Sequence, residues 1–262
     1  MLDRMMTLFP TVSQEFGLAG LALAIAAAFA AGLARGFSGF GVGLVFMPVG
    51  AAVFGPKLAV AALLVFDLVV SVSTTLRRVK FDGLRPLLPI WTGLTIATPF
   101  GALAAAHLNP VSVRWFVTGF IACVMALLTS GKQLRIGSGA GRSFAAGIAG
   151  GFMGGLAALN GIVVVTYWLS TGMEPRTLRA NLLTVFCLTS IATIASFAFA
   201  GMLTAEVFRV SLVLVVPYAV GSLAGTALFP LASPKSFRSI VYAMIAASMI
   251  IGMPVWDTVI GR

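Results

Sequence analysis

Apolar segments without charge follow one another along almost the whole chain. One further segment, 58–76, is interrupted only by Asp67. Because an α-helix needs about 20 apolar residues to cross the hydrocarbon layer of a membrane, each of these segments predicts a transmembrane helix. The uncharged segments are 16–34, 36–56, 86–106, 115–131, 143–173, 180–205, 210–234 and 239–256.

Two long apolar regions do not fit a single straight crossing. Region 16–56 is interrupted only by Arg35 and is too long for one helix, and region 143–173 is long enough for a tilted or broken helix. We therefore expect eight crossings, with ten as the alternative. The polar–apolar alternation of barrel strands is missing from the sequence, so the predicted fold is an all-α integral membrane protein, a polytopic helical bundle.

The two halves of the sequence resemble each other. AAGLARGFSG at 30–39 matches AAGIAGGFMG at 145–154, and GALAAAHLNP at 101–110 matches GSLAGTALFP at 221–230. Collinear matches of this kind indicate a duplication. We predict two homologous transmembrane repeats, 1–131 and 143–262, joined by a polar linker at 132–142. Four crossings in each repeat would make the repeats parallel, and five would make them inverted.

Both repeats carry a glycine-rich segment at a corresponding place. The spacing of Gly147, Gly151 and Gly155 predicts close packing against a neighbouring helix. A dinucleotide-binding loop would need a preceding strand, which neither segment has. Broken helices at matched places favour a substrate site near mid-membrane, because the N-termini of half-helices present unpaired N–H groups that suit an anion. The glycines are Gly32, Gly36, Gly39, Gly41 and Gly43 in the first segment, and Gly147, Gly150, Gly151, Gly154, Gly155 and Gly161 in the second.

Composition supports the membrane assignment, and charge gives an orientation. The chain is 60% hydrophobic and 9% charged, with a mean hydropathy of +1.07, which excludes a water-soluble core. The net charge of +10 is interpreted as membrane topology and not as nucleic-acid binding. With eight crossings the basic residues are more numerous on the side of the two termini, so both termini are expected on the cytoplasmic side of a bacterial-type inner membrane. The larger group is Arg4, Arg77, Arg78, Lys80, Arg85, Lys132, Arg135, Arg142, Arg209 and Arg262, and the smaller is Lys57, Arg114, Arg176, Arg179, Lys235 and Arg238.

Two arginines are candidate anion ligands. Arg35 lies where the first long apolar region is interrupted, and a charge there is costly unless it faces a cavity or a partner. It is either a cationic clamp for an oxyanion or an arginine that reaches the membrane interface. Arg179 precedes another span beside Asn181, and a planar guanidinium suits the oxygens of an oxyanion. With the polar and glycine positions of the broken segments, the predicted substrate-binding set is Arg35, Ser38, Gly39, Gly41, Asn160, Arg179 and Asn181.

Asp67 is the acidic residue in the middle of a predicted span. Burial of an isolated carboxylate is expensive, so we expect Asp67 to be protonated, paired with an arginine or hydrogen-bonded. Two roles are open for it. Asp67 either exchanges a coupling proton during anion transport or forms a structural bond between helices.

Other function classes fit the sequence less well. The sequence has no HExxH, GxSxG or cysteine cluster, so we expect neither catalysis nor a metal or other cofactor. An anion channel is an alternative, because glycine-rich broken segments also form selectivity filters. A carrier of a different small solute is a second alternative. Glycine-rich helix faces also make a homodimer an expectation.

Several segments resemble the TauE/SafE family of sulfite and organosulfonate transporters. They are GFSGFGVGLVFMPVG at 36–50, Phe81-Asp82-Gly83-Leu84-Arg85 before a proline-bearing span, the paired GxLA segments, and Arg179-Ala180-Asn181 at the start of a later span. The second glycine segment departs from the first, with Asn160 in its midst and no counterpart of Pro48. The resemblance implies a secondary carrier for small sulfur-containing anions such as sulfite, sulfoacetate or other sulfonates.

Overall fold

The computed structural model describes residues 12, 15–75, 84–130 and 137–228 and scattered positions between 243 and 255. Within these ranges the regular elements are helices. They are α1 (Leu18–Ser38), α2 (Val42–Phe54), α3 (Pro56–Thr75), α4 (Leu88–His107), α5 (Pro110–Thr129), α6 (Ala140–Ala157), α7 (Asn160–Ser170), α8 (Pro175–Phe199) and α9 (Ala205–Leu228), with a 3-10 turn at Arg85–Leu87. Segment 81–83, residues 132–136 of the linker and most of the last predicted span lie outside the described residues.

Five of the described helices are long and apolar enough to cross a membrane. They are Leu18–Ser38, Pro56–Ser73, Arg85–His107, Thr177–Phe199 and Ala205–Leu228. Shorter apolar helices are Val42–Phe54, Pro110–Ala126 and Asn160–Ser170. The predicted all-α, polytopic membrane fold is therefore confirmed, while the number of crossings, eight or ten, stays a prediction.

Both long apolar regions are broken, as their length predicts. In the first, α1 ends at Ser38 and α2 begins at Val42, with Gly39 at φ 80° and Gly41 at φ 93° between them. Glycine enters this left-handed region without the steric penalty that a β-carbon brings. The Ser38 hydroxyl donates to the carbonyl of Ala34 at 2.7 Å and accepts from the Phe40 N–H at 3.3 Å, which satisfies polar groups at the break.

Two pairs of long helices pack closely along glycine positions: α1 against α9, and α4 against α6. A Cβ on Gly36 would overlap the carbonyl oxygen of Ser222, and a Cβ on Gly101 would overlap that of Phe152. Small residues let membrane helices approach backbone to backbone, and this packing takes the place of the hydrophobic effect, which is weak between helices in lipid. Each pair joins a helix of the predicted first repeat to a helix of the second.

Glycines 147, 151 and 155 lie along the contact with α4, so their predicted packing role is confirmed. The sequence match pairs Gly101 with Gly221, but these two glycines do not make corresponding contacts. Gly221 faces the carbonyl of Phe29, and Gly93 faces the carbonyl of Phe144; Phe29 and Phe144 directly precede the matched segments 30–39 and 145–154. Apolar helices of similar composition resemble each other in more than one register, so backbone contacts are needed to choose one. The division into two repeats stays a prediction.

We expect Gly101→Ala to lower the stability of the α4–α6 pair. The added methyl group overlaps backbone atoms that cannot rotate away, and overpacking of this kind costs about 1–3 kcal/mol. Gly119→Ala in α5 is the matched control, because a Cβ there meets no heavy atom within 4 Å. The melting temperature of the purified protein in detergent measures both. Equal melting temperatures for the two variants would contradict the close approach at Gly101.

Candidate functional site

The two helix breaks lie against each other. Gly43, the second residue of α2, lies so close to the break between α6 and α7 that a Cβ on it would overlap the carbonyl oxygen of Ala158. Gly161, the second residue of α7, faces the break between α1 and α2, where a Cβ would lie 3.3 Å from the Cβ of Phe40. The first turn of each short helix therefore contacts the break that precedes the other, and Gly43 leaves no room for a side chain.

A small cavity lies where the breaks meet. Its volume is about 40 Å³, more than the roughly 10–15 Å³ that one water needs. The first N–H groups of a helix have no acceptor within that helix and carry the positive end of its dipole, so the starts of α2 and α7 make this cavity suitable for an anion. The lining residues are Arg35, Phe40, Gly41, Val42, Gly43, Leu44, Leu63, Leu64, Asp67, Ala158, Leu159, Asn160, Gly161, Ile162, Phe186, Thr189 and Ser190.

A buried ion pair forms one wall of this cavity. The Nε of Arg35 lies 3.0 Å from Oδ1 of Asp67, and its Nη2 donates to the Ser71 hydroxyl at 2.5 Å. Asp67 also accepts hydrogen bonds from the hydroxyls of Tyr218 and Ser71. The network joins α1, α3 and α9. Removal of either charged partner would leave the other charge buried and uncompensated, which costs about 3–5 kcal/mol.

This geometry excludes one of the two interpretations of Arg35, while its role as an anion ligand stays a prediction. The residue is only 5% exposed and its guanidinium is held by Asp67 and Ser71. The interpretation of Arg35 as an arginine that reaches the membrane interface is therefore wrong. Asp67 is paired with an arginine, which was one of the three expected arrangements. Its carboxylate also links α3 to two other helices, through Arg35 of α1 and Tyr218 of α9. That bonding is compatible with a coupling role as well as with a structural one, so the role of Asp67 stays a prediction.

The structure brings four of the predicted site residues to this cavity: Arg35, Gly41, Asn160 and Asp67. Asn160 is the first residue of α7, so its own N–H is among those without an intrahelical acceptor. Its side chain also lies close to Gly154 of α6, where a Cβ would come within 2.9 Å of the Asn160 Cβ. The second half of the chain therefore places the Asn160 backbone N–H at the cavity, while the Asn160 side chain packs against Gly154.

The other predicted site residues lie elsewhere among the described residues. Arg179 donates through Nη2 to the carbonyl of Gly36 at 2.7 Å, so it neutralises carbonyl groups at the C-terminal end of α1. Gly39 lies beside the Arg179 side chain, and Ser38 caps the break. Asn181 is 3.4 Å from the sulfur of Met173. A direct substrate role for these four residues stays a prediction.

Sequence reasoning missed Tyr218, Thr189 and Ser190 as parts of the site. Tyr218 is fully buried, and a tyrosine inside an apolar helix needs a partner for its hydroxyl, a requirement that could have singled it out. Thr189 and Ser190 each donate to a carbonyl one turn earlier at 2.7 Å. That local bond is common for hydroxyls in membrane helices, so the sequence gives no sign that they face a cavity.

The second break is formed without glycine at its sharpest point. Among the described residues Ala158 is the non-glycine residue with positive φ, at 55°. The left-handed region costs an L-residue about 1–2 kcal/mol. We expect Ala158→Gly to raise the melting temperature, since glycine adopts this conformation freely. A parallel Ala157→Gly variant, whose position is still helical, should lower it. A decrease for both variants would show that Ala158 is not strained.

Interrupted helices that meet around a polar cavity inside an apolar bundle define an integral membrane protein of the kind found among secondary transporters. The family model described as sulfite exporter TauE/SafE matches residues 24–251. Because this match covers most of the chain, the protein belongs to the TauE/SafE family, and the resemblance noted in the sequence is confirmed. The family is one of membrane transporters of sulfur-containing anions and not of enzymes. Neither the curated proteins nor the solved structures gave a significant match.

Proposed function

We propose that this protein is a secondary carrier of small sulfur-containing anions, sulfite foremost, and that the anion binds in the cavity between the two helix breaks. One observation carries the proposal: the N-terminal turns of α2 and α7 and the guanidinium of Arg35 converge on the same small space. Each of these groups is a hydrogen-bond donor or a positive charge. An oxyanion placed there meets donors from several sides.

Charge favours an anion over a cation at this place. Asp67 is the acidic residue among the described residues that line the cavity. Its carboxylate is already held by Arg35, Tyr218 and Ser71. Helix N-termini repel cations and stabilise negative charge. A cation would therefore have to compete with Arg35 for the same carboxylate.

Asp67 has a defined part in this proposal. Its carboxylate neutralises Arg35 across 3.0 Å, so the pair occupies the positive charge that the anion needs. Protonation of Asp67 weakens its hold on Arg35 and leaves the guanidinium to the anion. A proton and an anion would then enter the site together, which couples anion transport to a proton gradient.

The size of the cavity leads to an expected order of substrates. A volume of about 40 Å³, closed on several sides by Phe40, Leu63 and Phe186, suits a compact oxyanion better than one with an organic chain. In proteoliposomes, we expect unlabelled sulfite to inhibit the uptake of radiolabelled sulfite at lower concentrations than sulfoacetate does. The reverse order would contradict the size limit while leaving anion transport intact.

The direct test is a thermal-shift screen of the purified protein. Sulfite, thiosulfate, sulfoacetate and taurine-like sulfonates are compared with carboxylates and with small cations. A ligand that binds the folded state raises the melting temperature, so at least one sulfur oxyanion should do so in a concentration-dependent way. A response to cations with indifference to every sulfur oxyanion would overturn the proposal.

The proposed orientation places both termini in the cytoplasm of a bacterial-type inner membrane. It rests on the excess of basic residues in the connections of that side. Fusion of a reporter that is active only in the cytoplasm to each terminus tests it. Activity at both ends is expected, and activity at one end alone would mean an odd number of crossings.

A further inference from the structure

A second cavity opens on the side of the bundle between α5 and the α6–α7 pair. Its volume is about 440 Å³, an order of magnitude larger than the anion cavity. Most of its wall is apolar, with Phe120 and Val124 from α5 facing Ala146 from α6 and Val163 from α7. It shares one lining residue, Ile162, with the anion cavity. We call this second cavity the lateral groove.

The lateral groove is polar at one end. Arg142, the third residue of α6, is exposed and lines that end, with its Nη1 3.4 Å from the Ser138 carbonyl. The Tyr167 hydroxyl, also in the lining, accepts from the Ser143 hydroxyl at 2.9 Å and donates to the Gly139 carbonyl at 3.3 Å. These groups surround the start of α6. Ile162, near the start of α7, lies one and a half turns from Tyr167, so the groove runs from the bundle interior toward one membrane face.

The shape and charge of the groove fit one class of occupant. Among the described residues that line it, Arg142 carries the charge, and the remaining surface is almost wholly apolar. An apolar channel that opens sideways between apolar helices accommodates an acyl chain, and a guanidinium at its polar end pairs with a phosphate. The excess of basic residues assigns this end to the cytoplasmic side, where acidic lipids and basic side chains attract each other.

We propose that the lateral groove is a binding site for an acidic phospholipid, with an acyl chain between α5 and α7 and the headgroup phosphate on Arg142. The lipid would lie against the outer side of α7, whose first turn lines the anion cavity. Lipid binding and anion binding thus use opposite sides of one short helix. The site does not depend on which solute the protein carries.

Cys123 makes the occupancy of the groove measurable. Its thiol is exposed within the groove, whereas Cys187 is buried. In the full chain carrying Cys187→Ser, the alkylation rate of Cys123 by a maleimide reports access to the groove. We expect phosphatidylglycerol to slow this reaction at concentrations where phosphatidylcholine of the same acyl chains has no effect.

The charge contact is tested by Arg142→Gln against Arg209→Gln. Arg209 lies in the first turns of α9 and outside the described lining of the groove. Its replacement by glutamine changes the net charge by the same amount without changing that lining. Arg142→Gln should weaken protection by phosphatidylglycerol about fivefold, the effect of one basic group near an anionic headgroup, and Arg209→Gln should not. Gel filtration checks that each variant is folded.

Three results would overturn the proposal. Equal protection by phosphatidylglycerol and phosphatidylcholine would mean ordinary boundary lipid without headgroup selection. Protection that rises with protein concentration in the absence of lipid would mean that a second copy of the chain covers the groove. An equal loss in the Arg142 and Arg209 variants would mean a general charge effect. None of these readouts involves sulfite, so failure here leaves the proposed transport function standing.

Discussion

Replacement of Arg35 by glutamine should abolish sulfite binding and transport. The guanidinium of Arg35 is the one positively charged side chain among the described residues that line the anion cavity. Its removal takes away the charge that attracts the anion and leaves Asp67 with hydroxyl partners only. The unpaired carboxylate adds about 3–5 kcal/mol of destabilisation and further repels an anion. Loss of the sulfite-induced rise in melting temperature, together with loss of uptake in proteoliposomes, is the expected result.

A single variant that loses stability does not separate binding from folding, so a second variant is needed. The double change Arg35→Gln with Asp67→Asn removes both charges and leaves two amides that can hydrogen-bond with each other, because the glutamine Nε2 corresponds in position to the Arg35 Nε that contacts Asp67. We expect it to recover most of the melting temperature but not the response to sulfite. A double variant that is still stabilised by sulfite would show that Arg35 is not an anion ligand.

Arg179→Gln distinguishes the two arginines that the sequence proposes as ligands. Arg179 donates to the Gly36 carbonyl at the end of α1, so its loss should lower the melting temperature. The shift caused by sulfite should remain. Failure of Arg179→Gln to respond to sulfite, in a protein that is still folded, would instead place Arg179 in the anion site.

Replacement of Asp67 by asparagine should separate anion transport from the proton gradient. An amide cannot release or bind a proton in the working range, so sulfite should still move down its own gradient but gain nothing from a difference in pH. Arg35 loses its counter-charge, and the bound anion takes the place of the carboxylate. The rise in melting temperature on sulfite binding should therefore be larger than in the unmodified protein.

The control for this change is Glu206→Gln, which removes an acid from the first turn of α9. Glu206 is not among the described lining residues of the cavity, so both the response to pH and the response to sulfite should persist. Uptake of radiolabelled sulfite into vesicles, with and without an imposed pH difference, measures the effect. If Asp67→Asn retains the dependence on the pH difference, the proton-coupling role is wrong.

The part of the site that could be predicted from sequence consists of residues whose presence in an apolar segment is costly. Arg35 and Asp67 each place a charge inside a segment that would otherwise span a membrane, and such a charge needs a cavity or a partner. The cluster of glycines around Gly41 likewise predicted that the helix is interrupted there. The structure brings Arg35, Asp67 and Gly41 together at one cavity.

The sequence analysis was less successful for residues whose position in the chain carries no evident energetic penalty. Arg179 and Asn181 lie near the start of a span, where polar side chains are ordinary, and the structure places them away from the described cavity lining. Thr189 and Ser190 satisfy their hydroxyls within their own helix, so their sequence pattern is that of any membrane helix. Which of these faces a cavity depends on how α8 is rotated against its neighbours.

The sequence by itself determined the membrane class and the helical fold, favoured a break in each long apolar region, and showed that Arg35 and Asp67 each need a partner or a cavity, because the hydrocarbon layer penalises every charge and every unpaired backbone group that is not accommodated. Only the tertiary structure decided that Arg35 and Asp67 pair with each other and with Tyr218 of α9, that Gly221 and Gly93 each pack against a backbone carbonyl, and that the two breaks touch at Gly43 and Ala158. These features depend on the rotation and register of helices packed against each other. Apolar side chains of similar size leave both almost undetermined until backbones come into contact.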